Sequence, residues 1–153
     1  MKPWQKLLAF GASALLAAGA MGGYFEGTRL HAYADVAGVW TICTGHTEGV
    51  KPGDTATAAQ CETWLSADMA KANAGVKACI KRPITAGQET ALTDFAYNVG
   101  VPATCRSTMV AQLNRGDPAT VWCKQLLRWT KAGGRELPGL VKRRQAEYEL
   151  CIQ

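Results

Sequence analysis

The sequence predicts an α+β fold: a small β-hairpin lobe and a larger helical lobe, connected by one long helix. Three observations carry this. The residues on either side of Asp35 and Gly38 read as two short strands with turn chemistry between them. Thr57 with Gln60, and Thr85 with Gln88, each mark a helix start. In that pattern the threonine hydroxyl accepts a backbone N–H of the first turn, and the glutamine reaches back to the threonine's own N–H. Apolar residues then recur at helical spacing through most of the remaining chain. The 153 residues are enough for one hydrophobic core. A hydrophobic share of 48% argues against wholesale disorder.

Taken in order, Lys2 and Lys6 form a basic head, and Leu7 to Phe25 follows without a charge. That is marginally enough to span a bilayer, which takes about 20 apolar residues. The stretch is rich in alanine and glycine, which gain little from lipid. Its possible fates are cleavage after Ala18-Gly19-Ala20, permanent anchoring, or insertion followed by intact release. Leu30–Ala34 and Val39–Thr44 form the hairpin. In its second strand Val39, Thr41 and Cys43 share one face, and Trp40, Ile42 and Thr44 the other. Trp40 and Tyr33 are read as core residues rather than sugar-stacking ones. Gly45 to Thr55 reads as loop. A helix follows from Ala58 to about Ala78, with Cys61, Trp64, Leu65, Met69, Ala72 and Val76 on one face.

Pro83 is a break. Ala91, Leu92, Phe95, Ala96 and Val99 define the central core helix, which Gly100 and Pro102 end. Met109, Val110 and Leu113 mark another helix, closed by Gly116. Asp117 is expected to cap the next one, with Pro118 at its first position and Val121, Trp122, Gln125, Leu126 and Trp129 along it. Gly133 and Gly134 read as loop, and Leu140 to Cys151 as a basic C-terminal helix.

The stretch from Glu26 to His46 carries the chemistry. Glu26 and Asp35 are two carboxylates a short hairpin apart, which is what hydrolysis of a glycosidic bond requires: one protonated acid and one ionised base or nucleophile. Eight residues separate Glu26 from Asp35, five separate Asp35 from Thr41, and Gly45-His46 follows. This pattern resembles the phage-type lysozymes, the endolysins of glycoside hydrolase family 24. The resemblance continues through FAYNVG (Phe95–Gly100), RSTM (Arg106–Met109), LNRGD (Leu113–Asp117), LLRWTKAGG (Leu126–Gly134) and GLVKRRQAE (Gly139–Glu147). Cys43 stands where many relatives have glycine, and is read as a disulfide adaptation.

The resemblance implies a phage-lysozyme-like two-lobed fold with the active site in the cleft between the lobes. Glu26 would be the general acid, kept protonated by apolar neighbours such as Phe25. Asp35 would be the base acting on a water, and Thr41 would hold that water by a hydrogen bond. The inverting geometry implied would set the two carboxyl groups roughly 6.5–9.5 Å apart. His46 is expected to be structural, paired with Asp68. Arg143 or Arg144 is expected to point at Glu26, and the sequence does not choose between them. The substrate implied is the glycan strand of peptidoglycan, with no cofactor or metal. Two other readings remain: an inactive cell-wall-binding module and a lytic transglycosylase.

The same resemblance favours release over cleavage for the N-terminal stretch. In that fold the catalytic glutamate ends the first helix, and cleavage after Ala20 would leave too few residues for a stable one. Residues 1–25 are therefore expected to be a signal-anchor-release segment that refolds as the first helix, with 26–153 as the catalytic domain. The protein would be exported, tethered to the inner membrane, then released to the periplasm as a monomer.

The net charge of +5 and pI of about 9.0 suit a polyanionic partner: nucleic acid, anionic membrane or cell wall. No nucleic-acid module pattern is present. Six cysteines (Cys43, Cys61, Cys79, Cys105, Cys123 and Cys151), no Cys-x-x-Cys and only two histidines weigh against zinc. An even cysteine count behind an apolar N-terminus points to an oxidising compartment. Sequence leaves the connectivity open; the preferred set is Cys43–Cys61, Cys79–Cys105 and Cys123–Cys151.

Overall fold

The computed structural model describes residues 1–9 and 13–153. Residues 10–12 fall inside the charge-free N-terminal stretch, so that part of the expected membrane segment lies outside the described residues. The remainder of the stretch does not form one first helix. It forms α1 (Pro3–Ala9) and α2 (Ala14–Glu26). Ser13 starts α2 by accepting the N–H of Leu16 at 3.4 Å. Trp4 of α1 is fully buried and packs on Tyr24 and Phe25, with ring centroids 5.1 and 5.6 Å away. Among the described residues, no helix is long and apolar enough to cross a membrane.

The alanines and glycines of α2 have a packing use. Ala17, Ala18, Met21 and Gly22 are buried where α2 meets α3 (Ala58–Cys79) and α4 (Ala86–Val99). A β-carbon on Gly22 would land on the terminal methyl of Met69. Small residues therefore let three helices approach closely behind Glu26.

The hairpin is β1 (Arg29–Ala34) and β2 (Trp40–Cys43), antiparallel, with Tyr33 opposite Thr41. The expected alternation does not carry over to burial: Thr41, Ile42, Cys43 and Thr44 are all buried, and Cys43, at φ +59, turns the chain. Trp40 is 37% exposed, which corrects its reading as core: it stands at the outer end of β2, before the buried run that begins at Thr41. Tyr33 is half-buried, under the guanidinium of Arg29 at 4.3 Å. Part of the following loop returns along β1, where Ala32 donates to the Asp54 carbonyl and Ala56 to that of Leu30, each at 2.9 Å.

Both capping boxes form, on α3 and α4. α4 is the hub of the helical lobe and packs on α2, α3 and α8 (Pro138–Cys151). Phe95, Leu92 and Ala91 are fully buried there. Between α4 and α8 run α5 (Val101–Cys105), α6 (Thr108–Arg115) and α7 (Ala119–Trp122), then a 3₁₀ segment, Cys123–Arg128. Pro102 thus opens a new helix as well as ending the previous run. Asp117 caps nothing: its carboxylate accepts from Arg115, at 2.6 Å from Nη2, and Pro118 occupies the cap position. Gly133 and Gly134 form the two-residue turn of a second hairpin, β3 (Lys131–Ala132) and β4 (Arg135–Glu136). Both have positive φ, +56 and +76, as a tight hairpin turn demands.

Disulfides join Cys43–Cys61, Cys79–Cys105 and Cys123–Cys151, and no free cysteine remains among the described residues.

Candidate active site

A cleft of about 700 Å³ lies between the hairpin and the helical lobe. Glu26, Asp35 and Thr41 all line it, together with Tyr97 and Asn98 of α4 and Trp129, Lys131 and Leu137 near the second hairpin. Each of the three is placed by a local device.

Glu26 is the last residue of α2. Gly27 follows at φ +67 and turns the chain toward β1. The Glu26 side chain is 27% exposed, and Nη1 of Arg143 donates to its Oε1. An arginine was expected at Glu26 as well as the apolar Phe25, and the guanidinium that directs the carboxyl is that of Arg143. Arg143 is buried in α8. Burial opposes its charge, but Asp94 and then Glu26 outweigh that and hold it firmly protonated.

Asp35 opens the turn of the hairpin. Its Oδ1 accepts the backbone N–H groups of Ala37 and Val39, both at 2.8 Å. One oxygen is thereby fixed and the other is left for the cleft. Thr41 is buried, and its hydroxyl donates to the Val39 carbonyl at 3.0 Å. With its proton committed there, Thr41 can only accept a hydrogen bond from anything in the cleft.

His46 does not line the cleft. Its Nδ1 lies 2.7 Å from Asp68 Oδ2, and its ring stacks on Trp64 at 4.7 Å, clamping the end of the hairpin to α3. Arg144 also points elsewhere: its Nη2 donates to Glu147 at 2.6 Å and to Asn98 at 3.0 Å. The arginine at Glu26 is Arg143.

Sequence reasoning missed Asp94, Tyr97 and Glu147. Asp94 and Glu147 are fully buried carboxyl groups beside the two arginines. Burial pushes the Glu147 carboxyl well above the usual range; Arg144 opposes this and Asp94 reinforces it. The available signal was a charged residue between Thr93 and Phe95, on a helix whose neighbours are core. Tyr97 donates its hydroxyl to the Thr44 carbonyl. Burial, then the charge of Glu26, raises that phenol, so it stays a donor. Among the described residues no cluster of three His, Cys, Asp or Glu side chains suits a metal.

Comparison with known proteins gives a consistent neighbourhood. The Phage lysozyme family profile matches residues 23–147. The chain is 42% identical over 132 residues to a SAR-endolysin of Pseudomonas phage phiKMV, covering 84% of this chain and 81% of the relative. It is 40% identical over 128 residues to the SAR-endolysin of Bacteriophage PS119, covering 83% and 76%. Among solved structures it is similar to the muramidase domain of SpmX from Asticaccaulis excentricus, with TM-score 0.81, 28% identity, and 90% and 95% of the two chains covered.

Proposed function

The chain belongs to the phage lysozyme family, and on that premise we propose that Glu26 and Asp35 are its acid and base. It is an endolysin, a lysozyme of the muramidase type, acting on peptidoglycan in lysis of the host cell. The bond cut joins N-acetylmuramic acid to N-acetylglucosamine. One observation supports the residue assignment above all others: Glu26, Asp35 and Thr41, from two lobes, line the same cleft.

In this reading Glu26 gives its proton to the glycosidic oxygen as the bond breaks. Asp35 takes a proton from a water attacking the anomeric carbon on the opposite face. Thr41 accepts a hydrogen bond from that water and so orients it. The anomeric configuration inverts.

A reducing-end analysis of digested peptidoglycan tests this directly. Hydrolysed ends are expected. Anhydro ends would mean a transglycosylase, and no cut would mean a binding module. Glu26→Gln should lower the rate by about 10²–10⁴-fold, the usual weight of general acid catalysis. Near wild-type lysis of permeabilised cells by that variant would overturn the assignment.

The proposal extends to residues 1–25 as a signal-anchor-release segment, which would tether a monomer to the inner membrane before release to the periplasm. Its support is the uncharged stretch between Lys6 and Glu26 and the names of the relatives.

A further inference from the structure

The acid, base and water of the hydrolysis leave one buried charge unused. Asp94 sits in mid-α4, fully buried. It accepts from two nitrogens of Arg143: Nε to Oδ2 at 2.8 Å and Nη2 to Oδ1 at 2.9 Å. The third nitrogen, Nη1, donates to Glu26. A guanidinium is planar and rigid, so holding two of its nitrogens fixes where the third points. Three helices meet at this one group: α4 through Asp94, α8 through Arg143 and α2 through Glu26.

We propose that Asp94 is a positioning residue for the hydrolysis: by clamping Arg143 it aims the Glu26 carboxyl into the cleft and offsets the guanidinium's charge there. This rests on the reading of Glu26 as the acid.

The other groups around Arg143 do not supply this. Glu147, one turn on in α8, reaches Nε only at 3.7 Å and is engaged by Arg144 at 2.6 Å. Arg144 adds like charge from the same helix. The Phe25 ring lies 5.7 Å from the guanidinium carbon. Tyr97 of α4 is held by the Thr44 carbonyl. Among the described residues Asp94 alone makes two hydrogen bonds to Arg143, while a cleft carboxyl takes the third nitrogen. An asparagine offers one acceptor oxygen where the aspartate offers two, and no charge.

The test is steady-state hydrolysis of solubilised glycan strands by Asp94→Asn, on protein shown to be folded by its thermal transition. Losing the clamp should lower kcat roughly 10–100-fold, the cost of a slightly misplaced catalytic group. KM should not change, because Asp94 is shielded from the cleft. An unchanged kcat overturns the proposal, and so does a KM that rises as far as kcat falls, since a positioning role moves kcat alone. If Asp94→Asn is not recovered folded, Arg143→Lys decides, because a lysine cannot hold both carboxyl groups in a fork. A kcat at least tenfold lower with constant KM is then expected, and wild-type kcat overturns the inference. Glu26→Gln in the same assay separates the two claims. If it is active, the acid assignment falls; if it is inactive while Asp94→Asn behaves as wild type, only the role of Asp94 falls.

Discussion

Gly45 sits tight against the hydroxyl of Tyr97: a β-carbon there would lie 3.0 Å from that oxygen, so the phenol would have to give by a few tenths of an ångström. Gly45 also has φ +94, a conformation that L residues rarely adopt. This pair ties the end of the hairpin to α4 beside the cleft. Gly45→Ala should cost about 1–2 kcal/mol from the backbone alone, plus the contact. Adding Tyr97→Phe should be less damaging in the Gly45→Ala background than in wild type, because the contact is already spoiled. Denaturant melts of the four proteins measure that coupling; strict additivity would show that the two residues act independently.

Asp35→Asn should inactivate the enzyme while leaving the hairpin intact. The amide oxygen can still accept from Ala37 and Val39, and on the proposed mechanism only the base is lost. Asp35→Cys should retain some turnover, because a thiolate can serve as the base. Wild-type rates in Asp35→Asn would favour the transglycosylase chemistry.

The buried Glu147 predicts a pH dependence of stability. Its native carboxyl keeps its proton above the ordinary value of 4.5, whereas the unfolded chain loses it there. The unfolded state then binds fewer protons, so stability falls as pH rises from 4.5 toward the raised native value, by up to about 1.4 kcal/mol per pH unit. Glu147→Gln should flatten that slope. Parallel melts of the two proteins over the window check it, and identical slopes would rule Glu147 out as the source.

Peptide maps of periplasmic protein without reductant should show the three bridges and no free thiol. Replacing both Cys123 and Cys151 with alanine should cost about 2–5 kcal/mol, because this bridge pins the buried end of α8. An unchanged melting temperature would mean that helix packing alone holds α8.

Retention in the membrane is best probed at Gly19, which has nothing within 4 Å of a new β-carbon. Gly19→Leu should strengthen insertion without straining the folded enzyme. After an uncoupler is added, more of the variant than of the wild type should stay in the membrane fraction, with less lysis. Equal release would argue against a hydrophobicity-limited exit. Leucine at Gly22 is no test, because it would also collide with Met69 in the folded form.

The long and patterned features were legible in the sequence: both capping boxes, the hairpin, α4 and α8. That Glu26, Asp35 and Thr41 would line one cleft was legible only as an ordered spacing. What stayed hidden was set by tertiary contacts. The choice of Arg143 over Arg144 depends on which way each points from α8. The buried charge of Asp94 looks like any helical aspartate until α2 and α8 pack on it. Asp117 was misread because Arg115, two residues before it, competes for the carboxylate. The hairpin at Gly133 has strands of two residues, too short for an alternating pattern to register.

Each disulfide joins consecutive cysteines, and no bridged loop encloses or crosses another. Each can therefore close between near neighbours soon after export, in any order. All three lie after Ile42, so neither Glu26 nor Asp35 is inside a bridged loop. On the tethered reading, the body can be fully oxidised while α1 and α2 are still elsewhere. Oxidation then stocks the periplasm with stapled but incomplete enzyme, and the timing of lysis is left to a non-covalent event, the arrival of α2 on α4.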